Sequence, residues 1–360
     1  MNVFFDVQEL YYLPQYAPII ASLKQKGALA TLVMYRSEVE TANQVALIRR
    51  ACPGAAIEWV VNEAQARDLY LKKKPDWLII GNSFEYLEGI HNNTQTALVS
   101  HGIGPKSCYY NVSDSATNVR FVEGPYRTKR LKEMYPKQTF VDTGYAKLDP
   151  IVNGEMSHLQ PLNWGLDNSK KTILYAPTFY PSSIECLPKN FAKEFSEYNI
   201  ILKPHYFSLA NAKYKKQKKL LESWEKSDNV YLAGLENVNI IPFMAVADVL
   251  ISDASSTLFE FSALNKPVVW CDFYKLRWGY RGLLRFRFKK RMDEDLYKYA
   301  DIAVHAKSYD ELKCCVDSQI ESPGSFSQER KKYTLALAGR VDGQCSVRIA
   351  EYILKSSKQK

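Results

Sequence analysis

A phosphate could be held by the run DVLISDASSTLFEFSALNKPVVW, which begins at Asp248. A strand-length apolar stretch leads into a small polar turn at 253–257, and an apolar helix follows. Ser255, Ser256 and Thr257 fall where that helix starts. Free backbone N–H groups and the positive end of the helix dipole attract an anion there, and hydroxyl groups add donors. Asp253 opens the turn. Glu260 lies about one turn into the helix, where a carboxylate can accept hydrogen bonds from a ribose. The same residue types also serve as ordinary N-caps.

Two histidines follow strand-like runs. Lys203-Pro204-His205 comes directly after NIIL, and a strand end is where ligand contacts concentrate in open α/β sheets. A lysine and a histidine together can neutralise a diphosphate, and the intervening proline stiffens their presentation. His101 follows TALV in the segment SHGIGPK at 100–106. Near neutral pH its imidazole can take a proton from an attacking hydroxyl. Gly102 and Gly104 would let the backbone approach a ligand closely, and Lys106 adds a cation.

Other patterns carry less. Asp293-Glu294-Asp295 lies in the charged run KKRMDEDLYK, which reads as a solvated helix start rather than a metal-binding D-x-D. Gly102-Ile103-Gly104 is not a dinucleotide fingerprint, and neither a Walker loop nor a G-x-S-x-G elbow occurs. His91, His158 and His305 lack ligand-like spacing, so no metal site is expected. KYKKQKK at 213–219 reads as an exposed helix face. YRGLLRFRFKKR at 280–291 interleaves Arg and Lys with Leu and Phe and suits an anionic lipid or polymer; Arg281 lies in it. Nucleic-acid binding is not expected.

Positioning these residues takes a repeating α/β scaffold. MNVFFDV, ATLVMY, AAIEWVV, DWLIIGN, TALVSHG, VRFVEG and TFVDTG read as strands in the first half. Between the first two, Tyr16, Ile19, Ile20 and Leu23 have helical spacing. NEAQARDLYLKKK reads as a helix stopped by Pro75. After a polar linker at 153–169 the pattern restarts with TILYAP, NIILKPH, NVYLAG, DVLISD and KPVVWCDF, and a final helix begins near Asp342. Short strands alternating with helices imply βαβ units and parallel sheets. The expected fold class is α/β and GT-B-like, with two doubly wound, Rossmann-like domains facing across a cleft. An acceptor-side domain is expected at 1–155, a nucleotide-donor domain at 170–340 and a C-terminal helix at 341–360.

Composition agrees with such a scaffold. The 360 residues are 46% hydrophobic and 24% charged, enough for two cores and too apolar for wholesale disorder. The 48 Lys and Arg against 39 Asp and Glu leave a charge of +9, which favours anionic partners. Seven scattered cysteines without a C-x-x-C pair fit a reducing compartment. MNVFFDVQEL lacks the basic and apolar regions of a signal peptide, and the least polar stretch is broken by Asp248. A cytoplasmic protein is expected, peripheral to a membrane at most.

Taken in order, several segments resemble the CDP-glycerol glycerophosphotransferase family of teichoic acid and capsule polymer enzymes. These are SHGIGPK from Ser100, DTGYAKLD from Asp142, ILYAPT ending at Pro177 and Thr178, and Lys203-Pro204-His205. DVLISDASS from Asp248, FEFSALNKP from Phe259 and DGQCSVRI from Asp342 complete the set. The resemblance implies a GT-B-like fold with its site between the domains, no metal and no cofactor. It implies transfer of glycerol phosphate or ribitol phosphate from CDP-glycerol or CDP-ribitol to a polymer or lipid-linked saccharide hydroxyl, with CMP released. By matching position, His101 resembles the general base and His205 the histidine on the donor phosphates. Ser255 and Ser256 resemble phosphate-binding serines, and Lys203, Thr178, Asp253, Thr257 and Glu260 join the donor set. Gly102, Lys106 and Arg281 are candidate acceptor or phosphate contacts.

The sequence also departs from the family. Tyr180 stands near a position that is often arginine, Glu260 stands where many members have aspartate, and 277–301 follows no familiar pattern. A long amino-terminal extension is absent, which suggests a primase, a capsule enzyme or a single-linkage transferase. The competing expectations are a GT-B glycosyltransferase using a nucleotide sugar, a nucleotide-sugar 2-epimerase, and a non-catalytic binding module.

Overall fold

The computed structural model describes residues 1–36, 42–104, 107–253, 255–276 and 298–356. The chain divides into two units. One comprises Met1–Ile103, Ser107–Asn153 and Leu335–Lys360, and the other Gly104–Lys106 and Gly154–Thr334.

The first unit is built on seven parallel strands: β1 (Asn2–Val7), β2 (Leu29–Tyr35), β3 (Ala56–Val60), β4 (Trp77–Ile80), β5 (Gln95–Val99), β6 (Val119–Val122) and β7 (Phe140–Asp142). Their order is β3-β2-β1-β4-β5-β6-β7, so the sheet winds outward in both directions from β1 and β4. Strands such as WLII and VRFV are buried along their whole length, because helices cover both faces of a parallel sheet. The helix Leu13–Gln25 presents Tyr16, Ile19, Ile20 and Leu23, all buried, to this sheet.

The second unit repeats the plan with six strands: β8 (Thr172–Tyr175), β9 (Asn199–Leu202), β10 (Val230–Leu232), β11 (Val249–Ser252), β12 (Val268–Cys271) and β13 (Val304–Ala306). The order β10-β9-β8-β11-β12-β13 again reverses at the first and fourth strands. Twelve of the thirteen strands among the described residues coincide with the apolar runs of the sequence. β13 has no such run: Val304, His305 and Ala306 form a strand only because β12 supplies a partner.

The chain's end returns to the first unit. The sequence reading closed the second domain at 340 and set 341–360 apart, whereas the chain leaves the second unit after Thr334. The last helix, Cys345–Ser356, places Cys345, Ile349, Ala350 and Ile353 in the first unit's core. It starts three residues beyond Asp342 because Gly343 sits at φ +71°, which a helix does not admit. Its docking uses two of the sequence motifs. From DTGYAKLD, buried Asp149 accepts the Cys345 and Ser346 N–H groups at 3.3 and 2.7 Å. Arg348 donates to the Thr143 carbonyl at 2.9 Å and pairs with both Asp342 oxygens at 2.9 Å. That pair holds the Asp342 carboxyl below its usual range. Removing the acceptor in Asp149→Ala strands two buried donors at a helix start. It is expected to cost about 2–3 kcal/mol in urea denaturation, and a loss below about 0.5 kcal/mol, the surface-substitution range, would refute this anchoring.

A second tie lies at β12 and β13. His305 donates through Nδ1 to Asp272 at 2.9 Å and through Nε2 to the Ala300 carbonyl at 2.8 Å, and its ring stacks on Trp270. Neither partner can donate, so the doubly protonated ring is favoured and the Asp272 bond raises its pKa. A raised histidine pKa stabilises the fold fully below the unfolded value near 6.5. That contribution is lost as pH rises through the folded value. Because the pair is partly exposed, wild type is expected to lose about 0.5–1 kcal/mol across that window. A His305→Gln variant should show a flatter stability profile between pH 6 and 8.

Candidate active site

In the second unit the ends of β8, β9 and β11 bring together three separated motifs. The backbone after β8 runs beside Lys203-Pro204-His205: Lys203 N–H donates to Tyr175 O at 2.9 Å and His205 N–H to Pro177 O at 3.3 Å. On the other side Ala176 N–H donates to Ile251 O at 2.9 Å, and the Ser252 hydroxyl donates to Ala176 O at 2.6 Å. Thr178, Lys203, His205 and Asp253 therefore lie together at the carboxyl ends of neighbouring strands of one sheet. This is the switch point between β8 and β11, where doubly wound sheets bind ligands.

Asp253 takes a different part from the donor contact expected of it. It is fully buried, and Oδ1 accepts from Thr178 N–H at 2.7 Å. Oδ2 accepts from the Ser183 N–H and hydroxyl, both at 2.9 Å. The carboxylate thus ties the loop after β8 to the end of β11. It positions Thr178, which keeps partial exposure. Ser183 continues the network to the Tyr175 hydroxyl at 2.9 Å.

Ser255 is the N-cap of the helix Ser256–Ala263, and its hydroxyl accepts from Thr257 N–H at 3.3 Å. The capping role falls on a residue expected from the sequence to face a phosphate. Ser256 and Thr257, the first two helical residues, are partly exposed. Glu260 is 2% exposed, so a ribose contact there needs a buried approach. Tyr180, the departure at the expected arginine, is buried.

His205 caps the helix Tyr206–Ala210, with Nδ1 accepting from Phe207 N–H at 3.2 Å. An N–H can only donate, so the neutral ring carries its proton on Nε2 and presents it as a donor. Phe179 and Phe207 flank the ring at 4.6 and 5.1 Å between centroids. Phe179 is held in turn by Gln217, which donates to its carbonyl at 3.0 Å. Gln217 and Tyr214 are the buried residues in KYKKQKK, whose lysines are exposed as expected.

His101, in the first unit, has the opposite tautomer. Its Nδ1 lies 3.1 Å from the Gly81 carbonyl. A carbonyl only accepts, so the proton is on Nδ1 and the neutral ring keeps its lone pair on Nε2. Tyr12 stacks on the ring at 4.8 Å and 21°, while Tyr11 and Tyr109 meet its edges. Tyr145, from DTGYAKLD, donates to the His101 carbonyl at 3.1 Å. Gly81 must lack a side chain: an added Cβ would lie 2.7 Å from Tyr12 and 2.8 Å from the Tyr16 hydroxyl.

The two glycines after His101 approach protein groups. A Cβ at Gly102 would collide with the Tyr109 hydroxyl, and Gly104, at φ +110°, lies against the Phe259 ring. Packing therefore accounts for both, and nothing in these contacts assigns Gly102 to a ligand. Lys106, Arg281, Asp293-Glu294-Asp295 and the basic stretch at 280–291 lie outside the described residues. Among the described residues no three His, Cys, Asp or Glu side chains group as a metal site. No helix among them is long and apolar enough to cross a membrane. Sequence reading missed Tyr11, Tyr12 and Gly81. The Tyr-Tyr pair just after the first strand was the available signal.

Two doubly wound parallel-sheet units, each with candidate site residues at its strand ends, define a GT-B-like protein. The family model described as CDP-Glycerol:Poly(glycerophosphate) glycerophosphotransferase matches residues 56–354, and the chain belongs to that family. It is 28% identical over 158 residues to a teichoic acid poly(glycerol phosphate) polymerase of Bacillus spizizenii, covering 39% of this chain and 37% of the polymerase. Over 122 residues it is 34% identical to a teichoic acid glycerol-phosphate primase of Bacillus subtilis, covering 32% of this chain and 29% of the primase. The matched stretches thus span about a third of these relatives' length. The solved wall teichoic acid polymerase TagF superposes with a TM-score of 0.68 at 16% identity, covering 100% of this chain and 89% of that one. That likeness establishes the fold.

Proposed function

We propose that this protein transfers an alditol phosphate, glycerol phosphate or ribitol phosphate, from a CDP-activated donor to a hydroxyl of a teichoic acid or capsule-type polymer. The acceptor O–H gives its proton to Nε2 of His101 as its oxygen bonds to the donor β-phosphorus. The bond from that phosphorus to the bridging oxygen breaks, and CMP leaves with the electron pair. Lys203, the Nε2–H of His205 and the helix start at Ser255–Thr257 stabilise the charge on the phosphates. With protein cations in that role, the reaction runs without a resident metal or cofactor, so EDTA should leave turnover unchanged.

The observation that carries this reading is the pair of opposed groups facing Nδ1, a carbonyl at His101 and a backbone N–H at His205. The first suits a ring that accepts a proton at Nε2, and the second a ring that donates a hydrogen bond there. Family membership supports the CDP-alditol chemistry. The first unit then serves the acceptor and the second the donor. The protein works in the cytoplasm at the membrane's inner face, with residues 280–291 supplying peripheral contact to anionic lipid.

Purified protein given CDP-glycerol, CDP-ribitol and a set of nucleotide sugars, with mass detection of released nucleotide, tests the proposal. Acceptor-dependent CMP release from a CDP-alditol is expected, together with thermal stabilisation by CDP. Release of UDP or GDP from a nucleotide sugar, with CDP-alditols left intact, would establish the glycosyltransferase alternative. In His205→Ala, donor affinity should fall along with turnover.

A further inference from the structure

We infer that the turn Glu9–Tyr12 is a seat for the acceptor's hydroxyl-bearing terminus, with the Tyr11 ring as its platform and the Glu9 carboxylate as its hydrogen-bond acceptor. This rests on the proposed role of His101. The turn lies at the carboxyl end of β1, beside β4, where the first sheet reverses its order. Tyr12 is buried and stacked on His101, whereas Tyr11 remains 37% exposed with its ring 5.3 Å from the imidazole. An exposed phenol ring beside a base offers a face for the C–H groups of a polyol whose hydroxyl the base must reach.

The polar groups around that ring suit a neutral polyol better than a phosphate. The Tyr12 hydroxyl shares hydrogen bonds with Tyr11 and Asn82 and feels the Glu9 charge. Glu9 is accessible, yet the packed turn desolvates its carboxyl enough to raise its pKa. Glu63 adds a carboxylate behind the turn and accepts from Gln8 at 3.1 Å, while Asp6, its pKa pushed up to about 7 by burial, accepts from Tyr70 and Tyr35 at 2.6 and 2.8 Å. Ionised carboxylates accept hydrogen bonds from hydroxyl groups and repel phosphate. The second unit's strand edge has the opposite character, with Lys203 beside a helix start. The turn therefore selects an acceptor that ends in free hydroxyls, and an acceptor ending in a phosphomonoester should be refused.

The test uses the full chain, CDP-glycerol and a short synthetic oligo(glycerol phosphate). In Tyr11→Ala the acceptor KM should rise about 5- to 10-fold, the scale of one aromatic contact. Donor KM and the thermal shift with CDP should stay unchanged, and Tyr11→Phe should restore most of the acceptor KM. Glu9→Gln should weaken the acceptor similarly. An unchanged acceptor KM in an active Tyr11→Ala enzyme overturns the inference while leaving the transfer reading intact. If wild type releases no CMP, the transfer reading itself fails. Saturation-transfer NMR from the protein to the terminal glycerol protons then decides the seat independently. Loss of that signal in Tyr11→Ala supports it, and equal signals in both proteins overturn it.

Discussion

Replacing His101 with glutamine is expected to lower kcat by about 10²–10⁴-fold, the usual contribution of a positioned general base. Glutamine keeps a polar side chain of similar reach but cannot take a proton from the acceptor. The Gly81 carbonyl on Nδ1, Tyr12 across the imidazole face and Tyr145 on the His101 backbone all belong to the first unit. In the proposed reading the donor binds at Lys203, His205 and the helix start at Ser255–Thr257, all in the second unit. The thermal shift produced by CDP should therefore match wild type. A drop of less than about 10-fold would remove His101 from the base role, and a lost CDP shift would move it to the donor site. Gly81→Ala should disturb the same ring indirectly by forcing Tyr12 and Tyr16 aside.

Replacing Asp253 with alanine should cost about 3–5 kcal/mol, because it removes a fully buried carboxylate from three donors. Thr178 N–H, Ser183 N–H and the Ser183 hydroxyl would lose their acceptor, the two Ser183 donors where they are buried. The loop after β8 would no longer be held to β11, so donor affinity should fall together with stability. That joint loss distinguishes a positioning carboxylate from one in contact with donor phosphates, whose removal would relieve repulsion. Urea denaturation and calorimetric titration with CDP read the two effects. A variant that unfolds within about 1 kcal/mol of wild type, below the cost of one stranded buried donor, would show that the loop is held by other means.

Much of this protein is set by local sequence. Strands of a parallel sheet covered by helices are mostly apolar, so twelve of the thirteen strands among the described residues announce themselves, and strand ends locate His101, Lys203 and His205 on loops. The helix start at Ser255–Thr257 is likewise legible, since capping chemistry is local. Tertiary structure decided what depends on partners far away in the chain. β13 needed β12, and Asp253 turned inward because Thr178 and Ser183 meet it there. The terminal helix joined the first unit because Asp149, 196 residues before Cys345, caps it. The histidine tautomers were set the same way: a carbonyl faces one Nδ1 and an N–H the other, and no spacing rule records which group a ring nitrogen will meet.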